Sequence, residues 1–213
     1  MISIKNVTKK YGDKTVYENF SLDIEEGKIT AVLGESGAGK TTLLNMIAKI
    51  TDYTGDISGD VSPVSMVFSN NRLVPHLTVE ENLKLVKKDA DIPAALESVG
   101  LAPYKDAYPK ELSAGMQRRV SFLRAFLYTS PLILMDEPLI NLDLALKYKL
   151  TGLIKKLQKE SNRTIIMVTH DVGEAVMTAD RIVVIKDGKV VFKENEVTEK
   201  TEERIKKVLL GDT

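Results

Sequence analysis

The sequence predicts an α/β protein in which a mostly parallel sheet forms the core, a helical lobe is inserted into that core, and a small antiparallel β-subdomain lies at the N-terminal side. Two observations carry this prediction. The runs PLILMDEP at 131–138 and RTIIMVTHD at 163–171 are almost continuously apolar, as expected of strands buried on both faces of a parallel sheet. Residues 78–128, by contrast, contain helical patterns only and form the expected lobe.

The length and composition fit this architecture. A chain of 213 residues is expected to form a single unit over 1–213, with the core and β-subdomain at about 1–77 and 129–213 and the lobe at about 78–128. The net charge of zero gives no global indication of nucleic-acid binding, and the lack of cysteine excludes disulfides and thiolate metal sites. No apolar run approaches the ~18 residues needed to span a bilayer, so work at a membrane would go through a partner.

Taken in order, the elements begin with MISIKNVTKKYG, which is typical of a strand with a polar end. KITAVLG predicts a strand that runs into a glycine-rich turn, TTLLNMIAKI the helix after it, and VSMVFS another strand. In the lobe, TVEENLKLVKK predicts a helix capped by Thr78, IPAALESVG predicts a second, and a third opens at Ser113. RIVVIKDGKVVF predicts a hairpin with a type I′ turn at Asp187-Gly188, and VTEKTEERIKKVLL predicts a charged helix.

The segment GESGAGKTT at 34–42 matches the pattern G-x-x-x-x-G-K-[ST], between a predicted strand and a predicted helix. The glycines allow the backbone N–H groups to converge on phosphate oxygens. Lys40 is expected to reach the β- and γ-phosphates, and the Thr41 hydroxyl to bind Mg²⁺. The core is therefore predicted to be of the P-loop NTPase (RecA-like) type. The predicted nucleotide-binding loop comprises Gly34, Glu35, Ser36, Gly37, Ala38, Gly39, Lys40, Thr41 and Thr42.

Two carboxylates end the apolar run LILMDEP. In a P-loop protein the first acid after such a strand is the usual Mg²⁺ partner, which here is Asp136. A second carboxylate beside it can position and deprotonate the attacking water, and that role fits Glu137. A polar strand end that merely meets solvent is the alternative interpretation of this pair.

His170 ends another apolar run, in MVTHD. A lone histidine is more often structural than functional. This one is expected at the C-terminal end of a parallel strand, however, and ligands gather at that edge of open α/β sheets. We therefore expect His170 to contact the γ-phosphate.

The stretch LSAGMQRRV at 112–120 predicts a second anion site. Ser113 can cap a helix whose first turn, at Ala114 and Gly115, is almost bare of side chains. A helix N-terminus of this kind attracts phosphate through its free N–H groups. The sequence thus contains two predicted phosphate sites.

Together these motifs resemble the nucleotide-binding subunit of an ABC transporter, over essentially the whole chain. Residues 34–42 match its Walker A loop, residues 132–137 its Walker B strand with glutamate, and residues 112–116 its LSGGQ signature. Residues 141–143 match its D-loop, His170 its switch histidine, and Tyr11 the aromatic residue that stacks on adenine.

The resemblance accounts for two phosphate sites in one chain. Two cassettes of this family pack head to tail, and each ATP lies between the Walker A loop of one chain and the signature of the other. Ser113 and Gly115 are then expected to contact the γ-phosphate of the partner chain's ATP. The resemblance further implies ATP and Mg²⁺ as cofactors. Its implied partners are an identical or related cassette in a dimer, transmembrane permease subunits and an extracytoplasmic binding protein. The implied location is cytoplasmic, on the inner face of the membrane.

The sequence departs from the family pattern at a few positions. Met116 resembles the signature LSGGM of the nitrate, sulfonate and taurine importer branch, which favours import of a small solute. Ser69 stands where the family has a glutamine that reaches Mg²⁺, so Ser69 is the third expected metal residue. Because serine is shorter, Asn70 or a bridging water could replace the glutamine. The alternative function is a degenerate or non-transport ABC ATPase that acts as a nucleotide-dependent switch.

Overall fold

A computed structural model describes residues 1–210. The strands are β1 (Ile2–Tyr11), β2 (Lys14–Ile24), β3 (Ile29–Leu33), β4 (Thr54–Ser58), β5 (Val64–Val67), β6 (Leu132–Asp136), β7 (Thr164–Thr169), β8 (Arg181–Lys186) and β9 (Lys189–Glu194). The helices are α1 (Lys40–Ile47), α2 (Val79–Lys84), α3 (Ile92–Ser98), α4 (Ala114–Leu127), α5 (Leu144–Ser161), α6 (Val172–Thr178) and α7 (Thr201–Leu210), with single 3₁₀ turns at Ala102–Tyr104 and Pro109–Glu111.

The main sheet has six strands in the order β5-β6-β7-β3-β8-β9. All neighbouring pairs are parallel except β8 and β9, which form an antiparallel hairpin. Every residue of β3, β6 and β7 is buried. One face of the sheet is covered by α1 and the strands β1, β2 and β4, and the other by helices α4 to α7, so no strand face meets water. This confirms the predicted α/β class and places the ends of β3, β6 and β7 side by side.

A second sheet is antiparallel, with three strands in the order β2-β1-β4. Its apolar side chains alternate with exposed ones along β2, so one face packs on the core and the other meets water. Ile4, Leu22 and Ile57 share a buried cluster with Leu43 and Leu44 of α1. The antiparallel β-subdomain is therefore present, and it packs against the helix that follows the glycine-rich loop.

The elements between residues 78 and 128 are helical. Val79, Leu83, Leu96, Val120 and Leu123 belong to one buried cluster, separate from the two clusters on the faces of the main sheet. The expected caps are in place. Thr78 Oγ1 accepts a hydrogen bond from Glu81 N at 3.2 Å in a capping box, and Ser113 caps α4.

The predicted hairpin turn is confirmed, since Asp187 and Gly188 have φ angles of 50° and 68°. Both residues of a type I′ turn require positive φ, which glycine and aspartate tolerate better than most residues. Among Met1–Leu210, no helix has both the length and the apolar character that a membrane crossing would need.

Several predicted boundaries differ from the observed ones. The strand predicted over VSMVFS ends at Val67. The carbonyl oxygens of Phe68 and Ser69 accept hydrogen bonds from Arg118 of α4 instead of from a neighbouring strand. The helix predicted over TVEENLKLVKK ends at Lys84. The prediction also failed to locate α5, the longest helix within residues 1–210. Its buried positions Leu150, Thr151, Ile154 and Gln158 form only a narrow stripe.

Candidate nucleotide site

One cavity of about 990 Å³ opens at the carboxyl ends of β3, β6 and β7, where ligands collect in open α/β sheets. It brings together most of the residues that the sequence singled out. Those lining it are Tyr11, Gly34, Glu35, Ser36, Gly37, Gly39, Lys40, Thr41, Thr42, Glu137 and His170. Ala38 lines a smaller neighbouring cavity of about 330 Å³, which shares Glu35, Ser36 and Gly37 with the first.

Two glycines of the loop 34–39 are required by close approaches of the backbone. A Cβ atom on Gly34 would lie 2.5 Å from the carbonyl oxygen of Ile185. Gly39 caps α1 with a φ of 95°, and a Cβ atom there would meet Val16 and Tyr17 at 2.8 and 2.9 Å. The loop can therefore follow this path only with glycine at both ends, and it ends at the N-terminus of α1, where backbone N–H groups can bind an anion.

Lys40 lies at the base of the loop and is only 6% exposed. Its Nζ atom donates to the carbonyl oxygens of Gly34 at 2.7 Å and Glu35 at 2.9 Å, which holds the loop closed around the ammonium group. Burial lowers the pKa of Lys40 from its ordinary value, against the opposing charges of Glu137 and Asp136. An anion bound in the loop would add a negative partner to this desolvated cation.

Thr41 and Asp136 meet between α1 and the end of β6. The Thr41 hydroxyl donates to Asp136 Oδ1 at 3.0 Å and lies 3.3 Å from Oδ2. Asp136 is 8% exposed, and burial is the main cause that raises the pKa of its carboxyl above the ordinary value. A hydroxyl and a carboxylate are the oxygen donors that Mg²⁺ prefers, and a cation would relieve the cost of burying this charge. The two side chains therefore fit a magnesium ion.

Glu137 and His170 follow two neighbouring strands, β6 and β7. Glu137 has a left-handed backbone with φ of 47°, and its N–H donates to Val168 O at 3.0 Å, which ties it to β7. His170 Nδ1 lies 3.0 Å from both carboxylate oxygens of Glu137. The imidazole is the more exposed partner, so it can reach a ligand in the cavity while it holds the carboxylate.

Tyr11 forms the edge of the cavity at the end of β1 and is 48% exposed. Lys9 Nζ lies 4.5 Å from the centroid of its ring, within the range of a cation–π contact. The same ammonium pairs with Asp52 at 2.7 Å. A buried cation thus supports an exposed aromatic ring beside the phosphate loop, which suits stacking against a planar group.

Ser113, Gly115 and Ser69 are not among the residues that line the cavity. Ser113 Oγ accepts from Met116 N at 3.3 Å and caps α4, and Gly115 faces the side chain of Leu146 on α5. Ser69 is exposed, and its carbonyl oxygen accepts from Arg118. Within one chain, then, the predicted signature residues and the third expected metal residue do not line this cavity.

The cavity also has lining residues that the sequence analysis did not identify: Lys14, Val16, Leu33, Ile140, Leu209 and Leu210. Lys14 and Val16 follow Tyr11 on the adjacent strand, so the β1–β2 hairpin pattern could have suggested them. Leu209 and Leu210 come from the end of α7, and no local signal in the sequence shows where that helix packs.

Comparison with known proteins agrees with this geometry. Residues 17–140 match the family model described as ABC transporter. The chain is 38% identical over 203 residues to the aliphatic sulfonates import ATP-binding protein SsuB 1 of Paracoccus denitrificans, covering 92% of this chain and 84% of the relative. It is 39% identical over 209 residues to the Fe(3+) ions import ATP-binding protein of Fusobacterium nucleatum, covering 89% of this chain but only 56% of that relative.

Solved structures give the same class. A dimeric ATP-binding cassette in a post-hydrolysis state, bound to ADP and phosphate, superposes with a TM-score of 0.81 at 31% identity, covering 93% of this chain and 99% of that one. The chain therefore belongs to the ABC transporter family, and it is an ATP-binding cassette of the ATPase class.

Proposed function

We propose that this chain binds Mg-ATP in the cavity beside its phosphate loop and hydrolyses it to ADP and phosphate. One observation carries the proposal: three groups lie together at one edge of the sheet. They are the phosphate loop, the pair Thr41 and Asp136, and the pair Glu137 and His170. Each group has a role that the others cannot fill. The loop N–H groups and Lys40 bind the β- and γ-phosphates, with two or more charge-assisted hydrogen bonds of about 1.5–3 kcal/mol each.

Thr41 and Asp136 would hold Mg²⁺, which when bound would neutralise part of the charge on the phosphates. Ser69 would reach this ion only through a water or another side chain, because serine is shorter than the glutamine that the family has at this position. Tyr11 would stack on the adenine. The ring has one side supported by Lys9 and an exposed edge at the cavity, which suits that contact.

Glu137 would accept a proton from the water that attacks the γ-phosphate. Its carboxylate is only 17% exposed and has His170 at 3.0 Å on both oxygens, so it is held in one orientation. His170 would then act in two ways, by orienting the base and by contacting the γ-phosphate with its other ring nitrogen. Alignment of a base and its water matters because a misplacement of ~1 Å can cost about 10²-fold in rate.

The working unit would be a head-to-tail dimer. Ser113 and Gly115 lie away from their own chain's cavity, and α4 begins there with a capped N-terminus of low side-chain bulk. In a twofold dimer this end of α4 would face the γ-phosphate in the partner chain's site. The dimeric state of the structural neighbours supports this arrangement.

We further propose that the cassette drives import of a small solute through transmembrane permease subunits, with an extracytoplasmic binding protein to deliver the solute. The relatives named above are import ATP-binding proteins, and the sulfonate relatives match most of their own length. A permease would dock along residues 69–77, where the core and the lobe would meet. The core comprises about 1–77 and 129–213, and the lobe about 78–128. The chain would then lie at the cytoplasmic face of the membrane.

The test is steady-state phosphate release from purified protein with Mg-ATP. We expect turnover in the wild type, none above background in Lys40→Ala, and wild-type turnover in Lys156→Ala, an exposed lysine of α5 that serves as the matched control. A cassette that only switches with nucleotide would bind Mg-ATP without turnover. Equal nucleotide affinity in wild type and Lys40→Ala would contradict the assignment of the phosphate site.

A further inference from the structure

Helix α7 is fastened to the core near its start and ends at the nucleotide cavity. Thr201 and Ile205 are fully buried, and Ile205 belongs to the cluster on one face of the main sheet. The guanidinium of Arg204 pairs with Glu194 of β9. Leu209 follows Ile205 by four residues, so it lies on the same side of the helix and packs against the same cluster. The last turn of α7 is therefore held in place against the sheet.

This last turn is apolar, although the helix before it is charged. Two ion pairs form along the earlier turns, Glu202 with Lys206 at 2.6 Å and Glu203 with Lys207 at 3.1 Å. Their side chains are exposed and make up the solvated face of the helix. The turn that follows reads VLL, and its last leucine, Leu210, is 77% exposed. Leu210 thus presents apolar surface to a cavity that a ligand can fill.

The neighbouring smaller cavity shows at which end of the nucleotide cavity α7 lies. Leu209 lines both cavities. The other residues that line both are Lys14, Val16, Glu35, Ser36 and Gly37. Glu137 and His170, in contrast, line the larger cavity only. Lys14 is the partner of Tyr11 in the β1–β2 pairing. The end of α7 therefore lies on the Tyr11 side of the cavity and not on the side of Glu137 and His170.

Three separate elements present apolar side chains on this side of the cavity. Strand β1 contributes the exposed ring of Tyr11, β2 contributes Val16, and α7 contributes Leu209 and Leu210. The phosphate loop beside them takes the charged part of a nucleotide in the function proposed above. The remaining part of a nucleotide includes a flat base with largely apolar faces. Ligand sites cover such groups mainly with apolar and aromatic side chains.

Resting on the proposed function, we propose that Leu209 and Leu210 contact the base of the bound nucleotide, so that α7 forms one wall of the base pocket together with Tyr11. The two leucines bind the base and take no part in the chemistry at the γ-phosphate. Contact with the base removes their apolar surface from water, which strengthens the binding of a nucleoside triphosphate but not of the phosphates alone. Helix α7 thereby acts in nucleotide binding, although it carries none of the phosphate-binding or catalytic groups.

The test compares two ligands, Mg-ATP and Mg-tripolyphosphate, of which only the first has a base. Calorimetric titration of the full chain gives both affinities, with tripolyphosphate measured as a competitor of Mg-ATP. We expect Leu210→Ala to weaken Mg-ATP binding about fivefold, which corresponds to the loss of roughly 40 Å² of apolar contact. Its affinity for Mg-tripolyphosphate should stay within about twofold of the wild type. Leu210→Met keeps an apolar side chain and should bind both ligands as the wild type does.

Leu85→Ala is the matched control, because Leu85 is also an exposed leucine at the end of a helix, α2, and does not line the cavity. It should change neither affinity. Tyr11→Ala shows how the loss of a base contact is read out, and it should weaken the binding of Mg-ATP but not of Mg-tripolyphosphate.

The proposal is overturned if Leu210→Ala binds Mg-ATP as the wild type does, or if its affinities for the two ligands fall together. Equal losses would mean that α7 acts on the phosphate loop and not on the base. Failure of the wild type to bind Mg-ATP at all would instead remove the proposed function on which this inference rests.

Discussion

His170 Nδ1 lies 3.0 Å from both carboxylate oxygens of Glu137, although the two residues are 33 positions apart in the chain. They meet because β6 and β7 are parallel neighbours, with Asp136 paired to Val168, so that the residues following the two strands lie at one edge of the sheet. The contact fixes a carboxylate that would otherwise rotate freely. It predicts that the histidine acts on the rate of hydrolysis through Glu137 as well as through the phosphate.

We expect His170→Ala to lower the rate of ATP hydrolysis by about 10²-fold, because the base loses the partner that aligns it. Nucleotide affinity should change little, since the phosphate loop is intact. Phosphate release and nucleotide binding, measured on the same preparations, separate the two effects. A variant with wild-type turnover would show that Glu137 is aligned by something other than this histidine.

A second prediction concerns Lys147 of α5. Its side chain forms ion pairs that connect α5 to the start of α6, just after His170. Its Nζ atom lies 2.6 Å from Glu174, a carboxylate whose side chain is 3% exposed, and 3.2 Å from Asp171. Lys147→Met leaves the buried carboxylate without its cation. We expect a loss of about 1–3 kcal/mol in the free energy of unfolding at pH 7, measured by urea denaturation. Lys156→Met, an exposed lysine on the same helix, should cost almost nothing.

The same pair predicts a pH dependence with a definite sign. The hydrogen bond to Glu174 is the main cause that raises the pKa of Lys147 above its ordinary value of 10.5. A raised pKa in the folded state means that the native protein holds this proton more tightly than the unfolded chain. The stabilisation is therefore complete below pH 10.5 and is lost as the pH rises through the folded pKa. The wild type and Lys147→Met should converge in stability there; a constant difference would contradict this account.

A third prediction concerns the contact between the signature and α5. A Cβ atom on Gly115 would collide with the side chain of Leu146, which would have to leave its rotamer. We expect Gly115→Ala to lower the free energy of unfolding by about 1 kcal/mol. Gly152, in the interior of α5, has open space around its Cα, so Gly152→Ala is the control and should stabilise by about 0.4–1 kcal/mol.

The collision partner can be removed as a check. In a Leu146→Ala background, Gly115→Ala should become stabilising, because helix propensity then acts without the steric penalty. If Gly115→Ala costs the same in both backgrounds, the contact between Gly115 and Leu146 is not what limits the side chain at this position.

Much of the site was predictable because its residues lie in or beside local motifs. The loop 34–42 and the acids Asp136 and Glu137 belong to strand ends whose apolar runs and glycine turns can be recognised from sequence alone. His170 was predictable for the same reason, and parallel pairing then brings these strand ends together without further information. The caps at Thr78 and Ser113 are likewise local, since each needs only a hydroxyl and the next turn of helix.

What could not be predicted depends on packing between distant segments. Strand β5 ends at Val67 because the carbonyl oxygen of Phe68 accepts a hydrogen bond from Arg118, which is fifty residues away in the chain. Leu209 and Leu210 line the cavity because of where α7 packs. The sequence around them predicts only an amphipathic helix and does not show that position. Position 69 was recognised as a departure from the family, but the contacts that hold its backbone come from Arg118 of α4, and no periodicity in the sequence reveals them.

The most direct test of the central claim, that ATP is bound between two cassettes and hydrolysed with Glu137 as the base, is the molar mass of Glu137→Gln with and without Mg-ATP. Glutamine keeps the shape of the side chain but cannot accept the proton, so ATP should bind and persist. Light scattering after size-exclusion chromatography should then give the mass of one chain without nucleotide and of two with it, and adding Ser113→Arg should abolish the doubling. A Glu137→Gln protein that turns over ATP at the wild-type rate, or that binds ATP and keeps the mass of a single chain, would contradict the account.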